Sequence, residues 1–131
     1  MIVVDSSALI AILLDEPDAQ DMIEALAQEL GIVSAATVLE TTLVATSALG
    51  RDATGLISEL LDTLGLRTAA FDAEQLQWAQ AGFLEYGKGR HSKARLNFGD
   101  CFAYALAKAK AAPLLFKGED FAQTDVEAAL A

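Results

Sequence analysis

The chain alternates between two hydrophobic rhythms. Ile2-Val3-Val4 is an unbroken β-branched run, the pattern of a strand buried on both faces. Ala8 to Leu14 is apolar on every side, which predicts a buried helix, and Asp15-Glu16-Pro17-Asp18 breaks it. Met22, Ile23, Leu26 and Leu30 then recur at helical spacing up to Gly31. Ile32-Val33-Ser34 predicts a second strand, and a helix follows from about Ala36 to Leu49, closed by Gly50. Leu56, Ile57, Leu60, Leu61 and Leu64 predict an amphipathic helix opened by Asp52 and closed by Gly65. Leu66 to Phe71 reads as a third strand, and Asp72 with Gln75 as a capping box. Leu76, Ala79, Phe83 and Tyr86 make one stripe expected to be buried. After a polar, glycine-rich loop from Gly87 to Lys93, a helix runs from Phe98 to Ala111 and a fourth strand from Pro113 to Phe116. The tail has room for a turn, a short strand and a short helix.

Strands that alternate with helices or helix pairs predict an α/β fold: a parallel sheet covered on both faces. At 131 residues, without internal repeat or low-complexity tract, the chain is expected to be a single domain over 1–131. One cysteine, Cys101, rules out an intrachain disulfide and suits a reducing compartment. The N-terminus lacks a basic region before its apolar run, and no apolar stretch approaches the roughly 20 residues of a membrane span. The expected location is the cytoplasm.

Charge changes the picture in two ways. A net charge of −10 argues against nucleic-acid binding through the overall field. Yet Lys88, Arg90, Lys93 and Arg95 lie within eight positions, a local cationic loop that can contact phosphates. Its histidine, His91, reads as a solvated residue rather than a general base.

The acids fall into a pattern. Asp5 directly follows the first strand, Glu40 lies in the first turn expected of the helix after the second, and Asp120 lies just beyond the fourth. Asp100 opens the helix after the basic loop. Each has an ordinary reading: Asp5 as a cap, Thr37 to Glu40 and Asn97 to Asp100 as capping boxes, Glu119 and Asp120 as turn residues. In a parallel sheet, however, strand ends share one edge, where ligands bind in open α/β folds. Two carboxylates about 5 Å apart repel by roughly 3 kcal/mol at an effective dielectric near 20. Such a cluster persists by taking up protons or a cation, and hard oxygen ligands select Mg²⁺ or Mn²⁺.

The residues that carry these acids resemble a PIN-domain ribonuclease, specifically a VapC-type toxin of a type II toxin–antitoxin pair. The resemblance runs in order through Ile2-Val3-Val4-Asp5-Ser6-Ser7-Ala8-Leu9, Ser34 to Glu40, Leu96-Asn97-Phe98-Gly99-Asp100-Cys101, Leu114 to Phe121, and Thr124-Asp125-Val126. It implies a three-layer α/β/α fold with a central parallel sheet of four to five strands. It implies a metal-dependent endoribonuclease in which Asp5, Glu40, Asp100 and Asp120 are catalytic. Asp5 and Asp100 are then the principal Mg²⁺ ligands, with Mn²⁺ as a substitute. Asp120 is preferred to Glu119 because in this family the acid directly precedes an aromatic residue. Ser6 or Ser7 could hydrogen-bond a phosphate or a water, and Lys88, Arg90, Lys93 and Arg95 are the candidate RNA contacts. A VapB-type antitoxin, a homodimer and a structured RNA substrate such as tRNA or ribosomal RNA are implied as partners. Tyr104, Trp78 and the phenylalanines are expected to pack inside, and Cys101 to be an inert packing residue.

Two other classes compete. One is a non-catalytic RNA- or protein-binding module on the same fold, against which the intact acidic quartet counts. The other is a phosphohydrolase of the haloacid-dehalogenase type, which also starts with a strand ending in Asp but usually carries a second Asp where this chain has Ser7. A receiver domain, echoed by Lys117, is a weaker form of that alternative.

Overall fold

The computed structural model describes residues 1–90 and 93–130. Four parallel strands form one sheet: β1 (Ile2–Val4), β2 (Gly31–Ser34), β3 (Arg67–Ala69) and β4 (Leu114–Leu115), in the order β3-β2-β1-β4. Six helices connect them: α1 (Ser6–Leu13), α2 (Ala19–Gln28), α3 (Ala35–Leu49), α4 (Thr54–Thr63), α5 (Ala73–Tyr86) and α6 (Phe98–Lys110). β1 therefore lies inside the sheet, with Val3 opposite Ile32 on one side and Leu114 on the other.

Successive strand residues point to opposite faces, so one short strand feeds two cores. Ile2, Val4, Val33 and Leu115 join Leu9, Met22, Leu26, Ile57 and Leu61 beneath α1 to α4. Val3, Ile32 and Leu114 join Leu96, Tyr104, Leu106 and Phe121 on the α6 side. This is the expected three-layer α/β/α arrangement. Among the described residues, no helix is long and apolar enough to cross a membrane.

Four local details differ from the pattern read along the chain. Ser34, not Thr37, caps α3 by accepting from the Ala36 N–H, so the helix starts earlier and Glu40 falls in its second turn. Asp72 accepts from the Gln75 N–H, but the Gln75 amide donates to Ala70 O instead of returning to Asp72, so that box is one-sided. Asp52 holds the N–H and hydroxyl of Thr54 one residue ahead of the cap position, which Ala53 occupies. In the tail, the short strand is a single bridge: Leu114 N–H donates to Glu127 O, and Ala129 N–H to Leu114 O. The rest of the described tail is turns, without the short helix.

The largest departure is α5. It buries Gln75, Ala79 and Gly82, leaving Leu76 and Phe83 exposed. The small residues decide the face: a Cβ at Gly82 would run into the Tyr104 ring, so α5 and α6 approach closely there. Trp78 and Phe98 are likewise outside, Phe98 being 81% exposed, contrary to their expected packing in the core.

Candidate active site

Asp5 is carried by the buried β1 to the carboxyl edge of the sheet, where its N–H donates to Leu115 O at 2.9 Å. It caps α1 and is almost wholly buried. Its Oδ2 accepts from the Ser7 N–H (3.0 Å) and the Ser7 hydroxyl (2.7 Å), while Oδ1 is buried with no hydrogen-bond partner. Burial pushes its pKa up to about 6 against the pull of those hydrogen bonds, and the charge of Glu40 adds to the rise.

Asp100 comes from the other core. Asn97 caps α6 by accepting from the Asp100 N–H (2.9 Å), and Asp100 Oδ2 accepts from the Asn97 N–H (3.0 Å), a reciprocal box. The ordinary reading of this pair is thus correct, and it is also what aims the carboxyl inward. Burial pushes the Asp100 pKa up to about 8, opposed by the Asn97 hydrogen bond and reinforced by the charges of Asp5 and Asp120 and a hydrogen bond with Asp120.

Glu40 reaches this point from α3. Its carboxyl lies against Gly99 in the first turn of α6, where an added Cβ would collide with it, and its Oε1 is buried without a partner. Asp120, half-buried beyond β4, reaches Asp100, whereas Glu119 is exposed and lines a separate groove with Asp18, Asp21 and Glu24. Asp5 thus feels the charge of Glu40, and Asp100 feels those of Asp5 and Asp120.

The donor set suits a hard cation: every candidate ligand is a carboxylate oxygen, and two of those oxygens are buried and unpartnered. Among the described residues, no three acid, cysteine or histidine side chains stand close enough to grip one ion as posed.

The remaining candidates are placed as follows. Ser6 is the first residue of α1, and its backbone supports Asp5. Ser7, named only as an alternative, makes the direct side-chain contact to Asp5. The cationic loop closes on itself where Leu96 N–H donates to Tyr86 O and Lys88 N–H to Leu96 O. This brings the loop to the end of α6 that carries Asp100. Lys88, Arg90, Lys93 and Arg95 are exposed there, with Arg90 Nε donating to Leu84 O at 3.4 Å. His91 lies outside the described residues. Tyr104 is buried and donates to Asp125 Oδ1 at 2.8 Å, so it packs inside as expected. Burial and the Asp100 charge push the Cys101 thiol up to about 11, as expected of an inert residue.

A parallel three-layer sheet with four acids at its carboxyl edge defines a class, and comparison with known proteins agrees. The PIN domain model matches residues 2–127. A ribonuclease VapC of Mycolicibacterium smegmatis is 46% identical over 127 residues, covering 96% of this chain and 98% of the relative. Ribonuclease VapC30 of Mycobacterium tuberculosis is 45% identical over 125 residues, covering 95% of each. The chain belongs to the PIN-domain family and, within it, to the VapC ribonucleases. Two solved structures share the fold at low identity. They are M. tuberculosis VapC20, described as a toxin that cleaves the sarcin–ricin loop (TM-score 0.75, 17% identity, 96% of both chains), and VapBC2 of Rickettsia felis, bound to a DNA fragment from its promoter (TM-score 0.70, 14% identity, 98% of this chain and 96% of that one). Family membership leaves the haloacid-dehalogenase and receiver alternatives without support.

Proposed function

We propose that this chain is the toxin of a VapBC-type pair, a Mg²⁺-dependent endoribonuclease that hydrolyses RNA phosphodiesters at Asp5, Glu40, Asp100 and Asp120. The observation that carries the reading is the pair of buried, unpartnered carboxylate oxygens, Asp5 Oδ1 and Glu40 Oε1, with Asp5 flanked by Glu40 and Asp100. Unpaired buried acceptors are costly, and a cation relieves that cost while neutralising the mutual repulsion. Asp5 and Asp100 would hold the ion, for which Mn²⁺ would substitute, with Glu40 and Asp120 completing the acidic set. Mg²⁺, when bound, supplies Lewis acidity toward a scissile phosphate and a hydrolytic water. The acids orient that water, and the loop of Lys88, Arg90, Lys93 and Arg95, with Ser6, steadies the RNA backbone.

The partners follow from the same reading. A strongly acidic toxin suits an antitoxin that brings Arg or Lys to the crevice, and the R. felis neighbour is described as a VapBC2 complex. We assign a homodimer to the largely apolar face around Phe98, where Leu39, Leu43 and Val44 on one side and Leu76 and Phe83 on the other are exposed. The work is done in the cytoplasm, where RNA and antitoxin are found together.

The test is cleavage of RNA by purified protein with Mg²⁺ or Mn²⁺, and then with chelator, beside Asp5→Asn and Asp100→Asn. Chelation and each substitution should lower the rate by roughly a hundredfold or more. Equal cleavage by the variants would refute the assignment of the site. RNA binding without cleavage by the intact protein would favour the non-catalytic module instead.

A further inference from the structure

Ser7 links the two segments that flank the crevice. Its hydroxyl proton goes to Asp5 Oδ2 at 2.7 Å, and its oxygen accepts the Lys117 N–H at 2.9 Å, across 110 positions of sequence. A serine hydroxyl has one proton to give and two lone pairs to receive, so both contacts are made at once.

The first contact fixes the plane of the Asp5 carboxylate. One oxygen, Oδ2, holds two hydrogen bonds from Ser7, so tilting the carboxylate out of its plane weakens both. The other, Oδ1, is left buried and unpartnered. Helix capping alone does not need the hydroxyl, because the Ser7 N–H already satisfies the cap.

The second contact holds the segment that bears Asp120. The N–H of Asp5 bonds Leu115 O at the end of β4, and beyond it the chain turns through Gly118 at φ 96°. Lys117 lies between that ladder bond and Asp120. Its N–H is tied to Ser7, while its Nζ pairs with Glu16 at 2.8 Å and Asp18 at 3.3 Å. Exposed ion pairs are weak restraints. The short bond to the Ser7 hydroxyl is the one that connects this segment to the Asp5 carboxylate.

We infer that Ser7 is a positioning residue for the metal-dependent cleavage proposed above: its hydroxyl fixes the plane of the Asp5 carboxylate, so that one oxygen stays free for the cation, and registers the Asp120 segment against it. The inference rests on that functional reading. The groups that orient metal ligands typically matter roughly 10- to 100-fold in metal affinity.

The test compares wild type, Ser7→Ala and Ser7→Thr at one pH and ionic strength. Mn²⁺ binding is measured by calorimetry, amide exchange at Lys117 by mass spectrometry or NMR, and RNA cleavage by kcat and KM separately. Ser7→Ala should bind Mn²⁺ roughly 10- to 100-fold more weakly and lose kcat with little change in KM, while Ser7→Thr should stay within about threefold of wild type. Lys117 amide exchange should quicken in Ser7→Ala and not in Ser7→Thr. Should Ser7→Ala fail to fold, Ser7→Cys, similar in size with a weaker donor, takes its place with the same expected directions. A folded variant without the hydroxyl that matches wild-type Mn²⁺ affinity, or leaves Lys117 exchange unchanged, overturns this proposal alone. A wild type that neither binds Mn²⁺ nor cleaves RNA overturns the functional reading, and this proposal with it.

Discussion

At the scale of single residues, Asp5 and Asp100 are carboxyls built to be uncomfortable. Their pKa values stand at about 6 and about 8, against the usual 3.8, chiefly because both are buried. A group that binds its proton more tightly in the folded chain than in the unfolded one stabilises the fold at low pH. That contribution is complete below the unfolded value and is lost as pH rises through the folded value. With chelator present, the thermal midpoint should therefore fall between about pH 4 and about pH 8. Asp100→Asn should flatten the upper part of that fall, and Mg²⁺ should restore the midpoint near neutrality. A metal-free midpoint that stays level across this window would contradict the account. The identities of these acids were legible in the sequence because each follows a recognisable strand or cap. The choice between Ser6 and Ser7 was not, because it depends on a backbone amide 110 positions away.

At the scale of elements, the site depends on how closely α3 approaches the first turn of α6. Gly99 permits that approach, since any side chain there would occupy the space of the Glu40 carboxyl. Gly99→Ala should leave the fold intact, because the position is helical and alanine favours helix. It should displace Glu40 and lower cleavage by roughly ten- to a hundredfold, read by kinetics beside circular dichroism. Unchanged kinetics would show that Glu40 is not held by this contact. The patterns that set the elements were readable to different depths. β-branched runs marked β1 and β2, and Asn97 with Asp100 marked the start of α6. Hydrophobic spacing favours Leu76 and Phe83 as the inner face of α5, which the structure leaves exposed. Contact was instead governed by the smallness of Ala79 and Gly82 against Tyr104. Ser34 was read as the end of a strand, but it also caps α3, which advances the helix and moves Glu40 into the second turn.

At the scale of the whole molecule, a net charge of −10 opposes self-association, least of all on a face whose exposed side chains are mostly apolar. Phe98 stands at the centre of that face between two apolar hollows of about 450 and 420 Å³. Phe98→Asp should convert the proposed dimer to monomer in light scattering coupled to gel filtration, with secondary structure retained. A dimer that survives the substitution would place the subunit contact elsewhere. This face could not be read in advance, because an aromatic residue in an amphipathic helix has the same signature whether it meets its own core or a second chain.

The central position of β1 has a consequence for timing. It is the earliest strand to be synthesised, yet one of its neighbours is β4, and Asp5 and Ser7 reach their partners only at Leu115 and Lys117. Synthesis proceeds at roughly 5–20 residues per second from the N-terminus, so the first strand waits several seconds for the segment that completes its crevice. During that interval a nascent chain carries Asp5 without Asp120 and without the Ser7 tie. On the proposed reading, the crevice that would cut RNA stays incomplete until the chain is nearly finished.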